Sequence, residues 1–144
     1  MDTGAYVSVL RELTEQGQEV CLLISGNSMC PFLIHERDSI RFKKPDRPLR
    51  RGDMVFYQRS GGTFVMHRIY KVVEKGYIIV GDAQAALEGP VAREQIFGLI
   101  TQVQRKGKWI GPGNFWWEFF EHIWIRMVRL RLPVMKVYQK LAGR

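Results

Sequence analysis

Four side chains in this sequence could together attack a carbonyl and move a proton. Ser28 sits in Ser25-Gly26-Asn27-Ser28-Met29-Cys30-Pro31, directly after an apolar run at 20–24. Gly26 opens backbone conformations closed to other residues, and Pro31 fixes the exit of the bend. Such a turn can hold a hydroxyl at the end of a strand. A serine hydroxyl is a weak nucleophile until a neighbouring base takes its proton. His67, in Val65-Met66-His67-Arg68-Ile69, offers an imidazole that titrates near neutrality. The two are far apart in sequence, so only a fold that pairs their segments would join them. On spacing alone, a structural role for His67 stays open beside the catalytic one. Asp82 and Glu88 follow in Gly81-Asp82-Ala83-Gln84-Ala85-Ala86-Leu87-Glu88. Either carboxylate could orient an imidazole, and Asp82 could equally cap a turn after a strand.

Other reactive side chains read as bystanders. Cys30 has no base near it in sequence. Met29 reads as an apolar neighbour that orients the serine turn. His35 falls in a polar stretch, and His122 falls on a helical tail with no catalytic role expected.

The pattern around these residues is one of short strands. Val7, Leu10 and Leu13 recur at helical spacing, so residues 6–15 are expected to form an amphipathic helix ended by Gly17. Strands are expected at 20–24, 38–43, 53–58, 64–73, 77–80 and 96–103, with a hairpin turn at Ser60-Gly61-Gly62. Pro45-Asp46-Arg47-Pro48 reads as a loop. The sum is a mainly β fold, a barrel or folded sheet with a short N-terminal helix. From Gly111-Pro112-Gly113 the composition changes. Residues 115–141 are rich in aromatic and aliphatic side chains interleaved with arginine and lysine, which predicts a C-terminal amphipathic helix. Asn114 is its expected N-cap, Pro133 its expected kink, and Phe119, Ile123, Arg126/Met127 and Leu130 its apolar stripe. Residues 1–110 are therefore expected to form a β-rich catalytic domain and 111–144 a helical tail.

The chain has 144 residues and a formal net charge of +8, from 22 Lys+Arg against 14 Asp+Glu. That length allows one domain with a real core, and the charge favours an anionic surface as well as simple solubility. Two cysteines, Cys21 and Cys30, make neither a disulfide framework nor a metal site, and both are expected as reduced thiols. No cofactor or metal is expected. No N-terminal secretory pattern and no apolar stretch of spanning length is visible. The expected location is cytoplasmic or peripheral on a membrane. Trp116, Trp117 and Trp124 with the tail cations would suit a lipid headgroup region; packing on a protein partner or on the chain's own β-domain would suit them equally. No basic reading helix precedes the β region, so nucleic acid is not an expected partner.

Taken in order, these segments resemble a known family. Gly26-Asn27-Ser28-Met29-Cys30-Pro31-Phe32-Leu33 is similar to the G-x-S-M-x-P-x-L box of type I signal peptidases. Arg51-Gly52-Asp53-Met54-Val55-Phe56 resembles their R-G-D-I-V-x-F strand, and His67-Arg68-Ile69 the H-R-I/V box of the branch that uses histidine as base. Gly81-Asp82 followed by Pro90-Val91 is similar to that branch's G-D segment. The resemblance implies a folded β-sheet of the signal peptidase/LexA kind, with Ser28 as nucleophile and His67 as general base. It also implies an oxyanion hole that includes the serine's own N–H, and cleavage after small residues of a peptide bound as an added strand. Glu88 is the favoured orienting acid and Asp82 the second candidate or a structural neighbour.

Two features set the chain apart from that family. Signal peptidases are normally anchored by an N-terminal membrane helix, which this sequence does not show. Self-cleaving repressors of the LexA type share the fold but use lysine as base and carry a DNA-binding helix-turn-helix. The expectation is therefore a serine endopeptidase acting on a leader, signal or precursor peptide. The alternative is a non-catalytic peptide-binding or assembly protein that keeps the fold.

Overall fold

The computed structural model describes residues 3–23, 29, 32–34, 37–84 and 86–128. Ser28 with its neighbours at 24–27, Cys30, Pro31 and His35 lie outside the described residues, as does the tail from 129 onward with Leu130 and Pro133.

Helix α1 spans Thr3–Glu15, three residues longer at its start than the periodicity predicts. It ends where Gly17 adopts φ 85° and donates its N–H to Thr14 O at 2.9 Å. Leu10 and Thr14 are buried, and the Arg11 guanidinium lies 5.2 Å from the centre of the Phe97 ring. The helix is thus fastened to the sheet by its apolar stripe.

Eight antiparallel strands follow: β1 Val20–Leu23, β2 Ser39–Lys43, β3 Met54–Gln58, β4 Phe64–Val73, β5 Gly76–Val80, β6 Glu88–Val91, β7 Ile96–Arg105 and β8 Lys108–Ile110. They form one sheet in the order β1-β2-β7-β3-β4-β5-β6, with β8 paired to β7. The mainly β fold matches the sequence expectation. Six strands lie where alternation and turn residues place them. Strands β6 and β8 were not expected. Glu88-Gly89-Pro90-Val91 contains the two residues that weaken a strand pattern most, and it is tolerated because β6 is the end strand of the order. Lys108-Trp109-Ile110 is too short to carry a period.

The period of two splits the buried side chains into two sets. Met54 and Phe56 join Met29, Phe32, Leu33, Phe42, Phe97 and Ile100 in one core. Val55 and Tyr57, on the other face of β3, join Ile69, Tyr77, Ile79, Val91 and Leu99 in a second.

The C-terminal segment departs from the expected regular helix over its described part. Asn114 caps it as predicted, its Oδ1 accepting from the N–H groups of Trp116 (3.0 Å) and Trp117 (3.3 Å). Helix α2 then runs only Phe115–Glu118, continues as a wider π-turn over Phe119–Ile123, and tightens to a 3₁₀ turn over Trp124–Arg126. The buried stripe is also different. Trp117, Phe120, Trp124, Ile125 and Val128 are the buried apolar residues, Phe119 and Met127 of the expected stripe are half-buried against the core, and Ile123 is 52 % exposed. The reason is Phe32, whose ring meets Phe120 at 4.7 Å and Trp117 at 6.3 Å between centroids. Trp124 adds a specific tie, its Nε1–H donating to the Asp82 carbonyl oxygen at 2.8 Å. This aromatic segment therefore packs against the β core. No helix among the described residues is long and apolar enough to cross a membrane.

Candidate active site

His67 stands near the middle of β4, directly opposite Val55 of β3. It is 3 % exposed, and its Nδ1 is buried with no hydrogen-bond partner among the described residues. Tyr57, two residues along β3 on the same face, presents its ring edge to the imidazole, with centroids 6.3 Å apart and planes at 62°. Its hydroxyl is likewise buried and makes no hydrogen bond among the described residues. Burial, the charge of Glu88 and its close approach push the Tyr57 pKa up, which keeps the phenol protonated.

Glu88 reaches this neighbourhood from β6, where it pairs with Ile79 of β5. Arg59 grips both of its oxygens, with Nε donating at 2.9 Å and Nη2 at 2.7 Å. That hydrogen-bonded guanidinium holds the Glu88 carboxyl below the usual carboxylate range. The charge of Glu88 is felt at the imidazole, but its hydrogen bonds go to Arg59. Desolvation dominates at His67: burial lowers its pKa from 6.5 to about 4, the Glu88 charge raises it and the Arg59 charge lowers it. The imidazole is therefore neutral at physiological pH, and its Nδ1 has no partner among the described residues.

Asp82 sits elsewhere. Its carboxylate forms a two-pronged pair with Arg68, Nε–Oδ1 2.9 Å and Nη2–Oδ2 3.0 Å, and both side chains are almost wholly buried. Arg68 also donates from Nη1 to Gly52 O at 2.9 Å, and its guanidinium lies 5.4 Å from the Phe32 ring centre. Because His67 and Arg68 are consecutive on a strand, they point to opposite faces. Arg68 thus joins three of the four sequence boxes on the Phe32 side, and His67 faces the other core.

The exit of the serine turn is described from Met29. Met29, Phe32 and Leu33 are buried, and the Leu33 N–H donates to Met29 O at 2.9 Å. Met29 is the apolar anchor that the sequence suggests. Arg105 Nε donates to Phe32 O at 2.8 Å, and the buried Asp38 accepts from the Ile34 and Lys106 N–H groups at 2.9 and 3.1 Å. Burial alone would raise the Asp38 pKa, but its bonds from Arg37, Ile34 and Lys106 more than offset this and hold it low. These flanks pack with Phe32 on the face opposite His67.

Sequence reasoning singled out His67, Glu88 and Asp82 but passed over Arg59, Tyr57, Arg68 and Asp38. Arg68 carried a signal: an arginine beside a histidine in an apolar strand needs a buried acid on the opposite face. Arg59 and Tyr57 carried none, because their link to Glu88 depends on strand order. Cys21 is a free, exposed thiol.

A protein-family model described as Peptidase S24-like matches residues 2–92, a span that includes Ser28, His67, Asp82 and Glu88. Comparisons with curated proteins and with solved structures returned no match. The family match covers well over half of the chain and agrees with the antiparallel β architecture, so the chain belongs to the Peptidase S24-like family, within the LexA/signal peptidase superfamily.

Proposed function

We propose that this protein is a serine endopeptidase in which Ser28 attacks a peptide carbonyl and His67 is the general base. The observation that carries this reading is the state of His67: a buried, neutral imidazole whose Nδ1 has no partner among the described residues. A structural histidine in a core usually spends both nitrogens. In the first half-reaction His67 would take the Ser28 proton as the Oγ–C bond forms. It would then deliver that proton to the leaving amine as the scissile C–N bond breaks. Water, deprotonated by the same imidazole, would release the acyl group. Glu88, fixed by Arg59, would stabilise the transient imidazolium through its charge, and Asp82 would serve the fold through Arg68.

The substrate is proposed to bind extended, along β1, an end strand of the sheet among the described residues. β1 is the end strand opposite β6, it leads directly into the serine turn, and its Leu23 is 52 % exposed. A leader, signal or precursor peptide fits such an edge. The test is mass spectrometry of peptide substrates incubated with the intact protein and with Ser28→Ala and His67→Ala. Cleavage by wild type alone supports the reading, and cleavage by the Ser28 variant would sink it.

A second reading is a non-catalytic peptide-binding protein. The packing of Met29 and Phe32 on the face opposite His67 favours it. Labelling by a fluorophosphonate probe separates the two: stoichiometric labelling that is lost in both His67→Ala and Ser28→Ala supports catalysis. Peptide affinity unchanged by either substitution, with no labelling, supports binding alone.

A further inference from the structure

Glu118, Glu121 and His122 lie on one side of the C-terminal segment, spaced three and four residues apart. His122 Nε2 is 3.6 Å from Glu118 Oε2 and 3.5 Å from Glu121 Oε2. One ligand-type atom from each residue falls within 4.8 Å of the other two. The Glu121 side chain is only 10 % exposed, and the Glu118 Oε2 atom is buried without a hydrogen-bond partner among the described residues. The Glu118 side chain as a whole is 44 % exposed, and two carboxylates this close repel each other unless a proton or a cation stands between them. Here a third group, an imidazole, is aimed at the same point.

We propose that Glu118, Glu121 and His122 bind a divalent transition-metal ion of the zinc class. One nitrogen and two carboxylate oxygens form a ligand set suited to zinc, and three protein ligands leave a position open. The three residues line a cleft of about 280 Å³, in which Asp46 and Asp53 are already paired with Lys43 and Arg47. The local packing supports a held geometry. Gly52, at φ 95°, lies so close that an added Cβ would come within 2.7 Å of the Glu121 Cγ. The ion would therefore fix the Glu118–His122 stretch that abuts the Gly52 turn, whose carbonyl Arg68 holds. This inference is independent of the proposed peptidase chemistry.

The test is calorimetric titration of zinc chloride into the chelator-stripped full-length protein, alongside His122→Ala and Glu121→Gln. The His122 side chain is 58 % exposed, so its removal leaves the core intact. One zinc per chain is expected. Loss of a ligand should cost at least the roughly 10–100-fold in affinity that loss of a ligand's supporting partner typically costs. Zinc should raise the Tm of wild type and leave that of His122→Ala unmoved. Equal zinc binding by wild type and His122→Ala would overturn the proposal. So would the absence of any zinc-dependent heat or Tm shift in wild type, which would mean that the carboxyl pair shares a proton.

Discussion

Arg68 and Asp82 meet in a buried two-pronged ion pair at 2.9 and 3.0 Å, on the face of β4 opposite the imidazole of His67. Two further bonds flank the pair: Arg68 Nη1 donates to Gly52 O, and the Asp82 backbone carbonyl takes the Trp124 indole N–H. One guanidinium thereby ties the Gly-Asp turn, the Gly52 turn and the Phe32 ring to the strand that carries His67. Removing one partner leaves the other charged and buried, which costs about 3–5 kcal/mol, whereas replacing both with apolar residues of similar volume is often neutral or better. Arg68→Met should therefore be strongly destabilised in urea unfolding, and Arg68→Met/Asp82→Leu should recover most of the loss. If Asp82 were instead the orienting acid, the double variant would regain its fold and remain inactive. Peptide cleavage by the refolded double variant measures that difference.

The pH dependence of cleavage reports the imidazole. A base must be neutral, and burial holds the His67 pKa near 4 instead of 6.5. The acidic limb of kcat/KM should therefore fall near pH 4, with activity kept at pH 5.5. Glu88 raises the His67 pKa and Arg59 lowers it. Glu88→Gln should move the limb to lower pH and Arg59→Ala to higher pH. Shifts of the same sign in both variants would mean that neither charge reaches His67.

Trp124→Ala tests whether the C-terminal segment is part of the fold. The indole is 4 % exposed, packs with Phe120 and donates to Asp82 O. Truncating a buried tryptophan typically costs about 3–5 kcal/mol. Thermal unfolding should show a single transition at lower temperature. An unchanged Tm would mean that the segment is a separable appendage.

How much of this was legible in sequence depends on the kind of residue. Ser28, His67, Asp82 and Glu88 stood out because each belongs to a short local pattern, and β4 was bounded to the residue because Gly61-Gly62 and Gly76 punctuate it. The difference in surroundings between Glu88 and Asp82 was not legible. It depends on which arginine each acid meets, and Arg59 and Arg68 reach them only through the pairing of β4 with β5 and β5 with β6. The tail stripe was legible only in part, at Phe119 and Met127 but not at Ile123, for a related reason. Helical periodicity assumes a regular helix, and the π-turn at Phe119–Ile123 changes the rotation so that Phe120 and Trp124 share the Phe32 side.

The exposed aromatics of the tail invite a lipid test that does not disturb its core. Phe115 is 68 % and Trp116 46 % exposed, and the two rings touch at 4.9 Å between centroids. The chain's net charge of +8 would add attraction to anionic lipid. Deleting the tail would also remove Trp117, Phe120 and Trp124 from the core, so Phe115→Ser/Trp116→Ser is the sounder variant. If the patch seats in a headgroup region, wild type should float with anionic vesicles at low salt and the double variant should not. Equal flotation would assign any membrane contact to charge alone.

His67 also predicts how stability varies with pH. Its folded pKa is depressed, so between pH 6.5 and about 4 the unfolded chain binds a proton that the native state refuses. Its contribution is fully present above 6.5, falls as pH drops through that window, and levels off below about 4. Each pKa unit corresponds to about 1.4 kcal/mol, so the loss is on the order of a few kcal/mol. His67→Leu fills the same apolar site without a titrating group. Its unfolding free energy should fall less than that of wild type between pH 6.5 and 4, and the two curves should run parallel above 7. Parallel curves throughout would mean that the imidazole takes up its proton in the folded protein as readily as in the unfolded chain, which the lack of a partner for Nδ1 among the described residues argues against.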